Sequence, residues 1–419
     1  MIRAQEKIPS HLPKKLTISF PIWALYDTGS GGAYHDVDKI MIEHRERGFN
    51  CMRFDDGAGL MHDINGNPRG EVYFGRAFGK YDDVLRQFGS TGTPGTVDLK
   101  KRLIDLFRAA KRHGVYMILS SWYYLHTFWF ADSEICRELD AIPAEDRFFA
   151  FAKFLHYILL ELEKEGLDTQ VAFAEIFNEA DGLHFVDGYG SKRRSDEEIA
   201  FFRKKHEEAI AWLKERHPQI LFAYDTYNVR PDMRQIPENL EVFNFHNYFM
   251  WHIYREAIEN DTTLLRDDRI PIEAIRAAAK KDFPIEEGWC QRAWFYNNLL
   301  PSNYGLANAR GRKFMEDNRD NILDNLRKRC EYLKNLFDGT LSGLPIVSGE
   351  GFTYCGSYVM NFEEYSDTAW EIVAEMMKLY SELGLWGTVV RTCCGPEDPV
   401  WSTHPHKLLE MNRLFLENG

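Results

Sequence analysis

The sequence lacks most of the marks of the commonest functional classes. No run of lysine and arginine stands out. The nearest, Lys192-Arg193-Arg194, sits beside Asp196, Glu197 and Glu198, and the net charge is −13. Nucleic acid and anionic membrane surfaces are therefore excluded as partners, since both are bound mainly through basic side chains. No stretch approaches the ~20 apolar residues that a membrane span needs. The opening segment MIRAQEKIPSHLPKKLTISF has no apolar core of the length of a signal peptide. Seven cysteines, an odd number with no CxxC pair, fit reduced thiols in a cytoplasmic protein better than a disulfide framework. Neither GxGxxG nor GxxxxGK followed by Ser or Thr comes after any strand-like run. HExxH, HxxxH, an EF-hand loop and a cysteine cluster are missing too, so neither a metal nor another cofactor is indicated. Ser348-Gly349-Glu350 lacks the glycine that a GxSxG elbow places before its serine.

Aromatic residues, by contrast, are plentiful, at 14% of 419 residues with ten Trp and twenty Tyr. A ring-rich core accounts for most of them, and a cleft walled by flat apolar faces suits sugar rings. Eight short runs rich in apolar, β-branched or aromatic residues predict strands, at Leu16–Trp23, Phe49–Phe54, Val115–Ser121, Val171–Phe177, Ile220–Asp225, Val242–Tyr248, Pro345–Gly349 and Leu385–Arg391. Between them lie segments with apolar residues three and four apart, such as Asp98–His113, Glu145–Glu165, Asp196–His217, Asn318–Phe337 and Glu363–Leu383, which predict helices. Asp98, Ser195 and Ser366 stand where N-caps belong, and Gly48, Gly114, Gly166 and Gly384 where helices close. Near-continuous apolar strands alternating with helices imply a parallel sheet covered on its outer face. Eight such units predict an α/β fold of the (β/α)8 TIM barrel type, one catalytic domain over 1–419. Long insertions after strands 2 and 6, at about 55–97 and 249–343, leave the C-terminal strand ends. There they would shape a cleft, and a pocket closed at one end would favour exo-action.

The stretch VAFAEIFNEADGLHF, from Val171 to Phe185, ends an apolar run in Asn178-Glu179, an amide beside a carboxylate. An unpaired buried carboxylate is costly, so Glu179 is solvated, paired or employed. Strand 7, LPIVSGEG, ends the same way in Glu350. Strands 4 and 7 of an eight-stranded barrel face each other across the mouth, so the two carboxylates can converge on one pocket. Two carboxyl groups flanking a sugar bond are what glycoside hydrolysis requires.

With those residues in place, the sequence resembles the clan A retaining glycoside hydrolases, and glycoside hydrolase family 5 (cellulase-like) most closely. The resemblance implies Glu179 as acid/base, Glu350 as nucleophile and Asn178 as a contact to the 2-hydroxyl of the bound sugar. It also implies Arg53, in FNCMRFD, as support for the nucleophile, and His246 and Tyr248, in FNFHNYF, as inward-facing residues at the end of strand 6. On physical grounds Arg53 would keep Glu350 ionised, and Tyr248 could donate to it and orient it. The chain departs from the family at two places. Family 5 commonly has a histidine near the end of strand 3, where LSSWYYLH puts Ser121 and Trp122. It also expects a tryptophan at the end of strand 8, where Arg391-Thr392 stand.

Trp122, Tyr123, Tyr124 and Trp129 follow strand 3 and are candidate sugar contacts, Trp122 foremost, and Trp401 and Trp251 are weaker candidates. Asp55, Asp56 and Asp181 flank the expected pocket and read as solvated strand-end acids. The expected activity is a retaining β-glycosidase acting on β-linked glycosides or short oligosaccharides by double displacement, with a carbohydrate substrate as its partner. Transglycosylation on a non-glucosidic sugar is one rival reading, and a catalytically inactive carbohydrate-binding barrel is another. A barrel lyase, aldolase or isomerase would want a strand-end lysine or a metal cluster, and neither is present. The sugar, the linkage and the oligomeric state are not written in the sequence.

Overall fold

In the computed structural model the eight runs form one closed parallel barrel with every strand paired to its chain neighbours and the eighth closing on the first. We number these strands 1 to 8: Leu16–Ser19, Cys51–Asp55, Tyr116–Ser120, Val171–Glu175, Phe222–Thr226, Val242–Asn247, Ile346–Gly351 and Gly387–Val389. The structure describes residues 7–26, 29, 32–75, 95–124, 126–127, 130–187, 194–227, 229, 233–248, 258, 260–278, 287–339, 341–352 and 360–417. Strand 1 stops short of its expected end because Pro21 has no amide hydrogen to extend the ladder. Residues 21–26 turn instead, with Ala24 N donating to Pro21 O at 3.1 Å.

Helices cover the outer face after seven of the eight strands. They are Val37–Glu46, Leu99–His113, Arg147–Lys164, Asp196–Arg216, Arg319–Phe337, Asp367–Leu383 and Pro405–Glu417. Among the described residues no helix follows strand 5. Asp98, Ser195 and Ser366 each accept a backbone N–H from three residues on, as N-caps do. Such a cap is worth ~1 kcal/mol. Gly114 and Gly384 close their helices with φ of 65° and 78°, a left-handed conformation that a Cβ would strain. None of the helices described is long and apolar enough to cross a membrane.

Two apolar clusters hold the layers. Inside the barrel, Leu16, Ile18, Cys51, Ile118, Phe173, Ala223, Val242, Val347, Trp386 and Val389 fill the lower half. A far larger cluster packs strands against helices. The insertion after strand 2 carries an antiparallel hairpin, Glu71–Phe74 with Gly95–Asp98. The insertion after strand 6 carries helices Ile272–Ala278, Glu287–Asn298 and Tyr304–Asp317 before the barrel helix Arg319–Phe337. In the Trp-containing stretch there, Trp294 is tied by its Nε1 to Ile270 O at 2.7 Å.

Candidate active site

Above the inner apolar cluster the barrel interior turns polar, and Arg53 is the hub. Residues two apart share a strand face, so Arg53 points inward above Cys51 and is fully buried. Its Nη1 donates to Glu350 Oε1 at 2.6 Å and its Nε to Glu175 Oε1 at 2.9 Å. Its Nη2 donates to Asn178 Oδ1 at 2.7 Å, to Asp225 Oδ2 at 2.5 Å and again to Glu175. The Trp122 indole lies over the guanidinium, 4.4 Å from ring centroid to Cζ. Burial disfavours the charge, but Glu175, Asp225 and Glu350 together outweigh it and push the Arg53 pKa up.

Strand 7 carries a bulge where it meets strand 6. Phe245 pairs with Ser348 and His246 with Glu350, so Gly349 is an extra residue. Bulges re-aim side chains, and this one turns Glu350 inward. The position admits only glycine, because a Cβ on Gly349 would lie 2.5 Å from the Asn244 amide. We expect Gly349→Ala to cost about 2–4 kcal/mol of stability by overpacking and to cut turnover by displacing Glu350. Chemical denaturation and kinetics on one preparation check both.

The end of strand 4 is also strained. Glu179 adopts φ 52°, a left-handed conformation unusual for a residue with a Cβ. The other non-glycine residues with positive φ among those described, Leu183, Phe352 and Cys393, all follow strands 4, 7 or 8 at the same end of the barrel. Strain of this kind gathers where geometry is fixed for function. It leaves one oxygen of Glu179 and one of Glu350 within 4.8 Å of each other, with His246 inside the same limit. Both glutamates are nearly buried, at 6% and 2% exposure.

His246 bridges the pair. Its Nδ1 is 2.8 Å from Glu179 Oε1, and its Nε2 is 3.1 Å from Asp225 Oδ2 and 3.4 Å from Glu350 Oε1. Burial pulls the ring toward neutrality, but Asp225 and Glu350 win and push its pKa well above the ordinary histidine value. Tyr248 donates to Glu350 Oε2. Thr392, standing where family 5 places a tryptophan, donates to Tyr248 OH at 3.3 Å and accepts from Gly351 N at 2.7 Å. Glu350 itself differs from the expectation of a depressed pKa. Burial pushes the carboxyl up, and His246 and Arg53 only partly offset it.

The structure therefore brings together Glu179, Glu350, Asn178, Arg53, His246 and Tyr248. It places the tryptophans elsewhere. Trp122 is 1% exposed, covered by Phe20 on one side and occupied with Arg53, so it caps the arginine and offers no open face to a sugar. Trp401 stacks on Phe49, lies under Arg47 and donates its Nε1 to Glu43 at 2.7 Å, all on the outer, helical side. It packs on the outer wall and does not reach the cleft, because it lies in the short helix Pro399–Thr403 beyond the end of strand 8. Tyr123 and Tyr124 are buried against Phe151. Trp129 and Trp251 lie outside the described residues.

Asp55 and Asp56 are not solvated as expected. Both are 1% exposed, tied to Gly57 N and Thr127 and to Ala58 N respectively, and burial pushes Asp55 up to about 6. Asp181 accepts from Tyr227 N at 2.8 Å and is likewise pushed up to about 6 by burial. Two central residues escaped sequence reasoning, Glu175 and Asp225. The signal was there: each is a carboxylate inside an otherwise apolar strand.

A family model described as sugar-binding cellulase-like matches residues 20–269. No curated protein matches the sequence. Among solved structures, a candidate glycoside hydrolase from Parabacteroides distasonis superposes with a TM-score of 0.66 at 16% identity, covering 96% of this chain and 93% of that one. A glycoside hydrolase family 5 enzyme from Prevotella bryantii gives 0.53 at 13% identity, with 99% of each chain covered. The cellulose synthase subunit Z of Clostridioides difficile gives 0.51 at 14%, covering 95% and 99%.

Proposed function

Because the chain belongs to the sugar-binding cellulase-like family, of the family 5 type, and is a glycoside hydrolase, we propose that it is a retaining β-glycosidase. Its substrates in this reading are β-linked glycosides or short oligosaccharides, cleaved by double displacement. One observation carries the reading: the facing carboxylate oxygens of Glu179 and Glu350 lie within 4.8 Å. Retaining enzymes hold their carboxyl groups ~5–5.5 Å apart, whereas inverting enzymes leave ~6.5–9.5 Å for a water.

In the first step a Glu350 oxygen attacks the anomeric carbon while Glu179 passes its proton to the departing glycosidic oxygen. The C–O bond to the aglycone breaks as the ester to Glu350 forms. In the second step Glu179, now a carboxylate, takes a proton from water. That water's oxygen bonds the anomeric carbon, and Glu350 leaves. Arg53 and Tyr248 fix the two oxygens of Glu350 for in-line attack. With Oδ1 of Asn178 held by Arg53, its amide N–H groups remain to meet the sugar's 2-hydroxyl. Thr392 offers no ring beneath the sugar, which leaves the glycone open. A variant of the Prevotella bryantii enzyme is known in complex with a xyloglucan tetradecasaccharide, so extended oligosaccharides belong in the test beside simple glycosides.

The test is a panel of nitrophenyl α- and β-glycosides with proton NMR of the first-formed product. We expect a β-glycoside to yield the β-sugar first, and initial release of the α-anomer would sink the proposal. Glu179→Ala should lose about 10³-fold on an alkyl glycoside that needs acid help. Glycosylation by a dinitrophenyl glycoside, whose leaving group needs none, should be nearly spared.

A further inference from the structure

Asp225, near the end of strand 5, is used nowhere in the steps above, yet it contacts Arg53, His246 and the backbone of Glu179. Its Oδ2 accepts from Arg53 Nη2 at 2.5 Å, from Asn244 Nδ2 at 2.9 Å and from His246 Nε2 at 3.1 Å. Its Oδ1 accepts the backbone N–H of Glu179 at 3.2 Å. It is 0% exposed, and Glu175 is a further hydrogen-bonding neighbour. A buried carboxylate that served packing alone would be disfavoured against an apolar residue of the same size.

We propose that Asp225 is a positioning residue for both catalytic glutamates, holding His246 as a double donor against Glu179 and Arg53 against Glu350. The inference rests on the glycosidase reading for its kinetics but not for its geometry. The ring of His246 can donate from Nδ1 to Glu179 and from Nε2 to Asp225 together only when both nitrogens carry hydrogen. Asp225 supplies the anion that makes this form the favoured one. Its grip on the Glu179 amide also pins the residue that sits in the left-handed conformation, so the carboxyl is aimed by its own backbone as well as by the ring.

The charges around Asp225 agree. Facing it are Arg53 from strand 2, Glu175, Glu179, Asp181 and His184 from strand 4 and its loop, His246 from strand 6 and Glu350 from strand 7. Burial pushes Asp225 up, but His246 and Arg53 outweigh it and hold the carboxyl below its usual range. Glu175, buried beside it, is pushed up to about 7 despite Arg53. His184 is driven neutral by burial. The permanent anion at the centre is thus Asp225, set between two cations that each hold a different catalytic glutamate.

The test is imidazole titration by NMR of protein carrying nitrogen-15 histidine, with the His246 signal assigned by its loss in His246→Asn, alongside steady-state kinetics. In wild type the ring should remain charged through pH 8. In Asp225→Asn its midpoint should fall by about one to three units. With it kcat on an alkyl β-glycoside should drop about 10²-fold while KM changes little. Asp225→Glu should recover part of both. A neutral His246 in wild type at pH 7.5 overturns the proposal and needs no variant to fold. So does an Asp225→Asn protein that loses kcat with its ring still charged, because the residue would then act through packing. If wild type hydrolyses no β-glycoside, the glycosidase reading fails while the titration still decides this one.

Discussion

Glu350→Gln should be a folded protein with turnover reduced on the order of 10⁵-fold, the scale of loss when a covalent nucleophile is removed. The amide is the same size and keeps a carbonyl oxygen for Arg53 Nη1, so the barrel has no reason to collapse. Arg53 keeps Glu175 and Asp225 as counter-charges, and the removed carboxyl was one that burial already disfavoured. Melting temperature should therefore stay near the wild-type value or rise. Sugar binding should survive, because Asn178, His246 and Tyr248 remain. The measurement is turnover of the best β-glycoside together with calorimetric binding of its product sugar. Retained activity within tenfold would remove Glu350 from the mechanism. Loss of binding together with turnover would mean that the variant had disturbed the pocket and had not merely deleted the nucleophile.

The eight strands were legible because each is a near-continuous apolar run, buried on both faces, and that pattern survives without knowledge of partners. Glu179 and Glu350 were legible for the opposite reason, as carboxylates at the ends of such runs. The strand order then set them facing across the mouth. What could not be read was direction and depth. Trp122 and Trp401 both follow strands at the catalytic end, and sequence cannot say that one ring is taken by Arg53 beneath it and the other by Phe49 on the outer wall. Asp55 and Asp56 looked solvated because acids at strand ends often are, yet the turn that follows, Gly57-Ala58, folds its amides back on them. Gly349 reads as an ordinary strand residue until the register against strand 6 shows that it is the inserted one. Glu175 is masked by the apolar residues that follow it in its run, Asp225 closes a run for which the resemblance implies no site residue, and both sit in the layer below the catalytic glutamates. That lower layer sets the charge state of the upper one.

Arg53→Met tests that dependence and should carry the largest stability cost in the molecule. Methionine fills much of the same volume without charge. It leaves Glu175, Asp225 and Glu350 buried with their shared cation gone. Breaking a buried pair from one side costs about 3–5 kcal/mol. The loss should depend on pH, with a definite sign. Arg53 lowers the pKa of all three carboxyls, so its removal raises each folded-state value further above, or back toward and past, its unfolded one. A carboxyl whose folded pKa exceeds its unfolded pKa binds more protons in the folded state, so stability falls as pH rises through that window. In wild type this already applies to Glu350 and to Glu175, whose window runs from the ordinary glutamate range up to about 7. In the variant it applies to three groups. The gap in melting temperature between Arg53→Met and wild type should therefore be widest at pH 8 and narrow as pH falls toward 5.5. Arg53→Lys, which keeps the charge but not the planar fork, should be damaged less and show a weaker pH dependence. Calorimetry across that range decides it: a gap that does not change with pH would mean that Arg53 holds the barrel by shape, and that the carboxyls beneath the catalytic pair are already neutral without it.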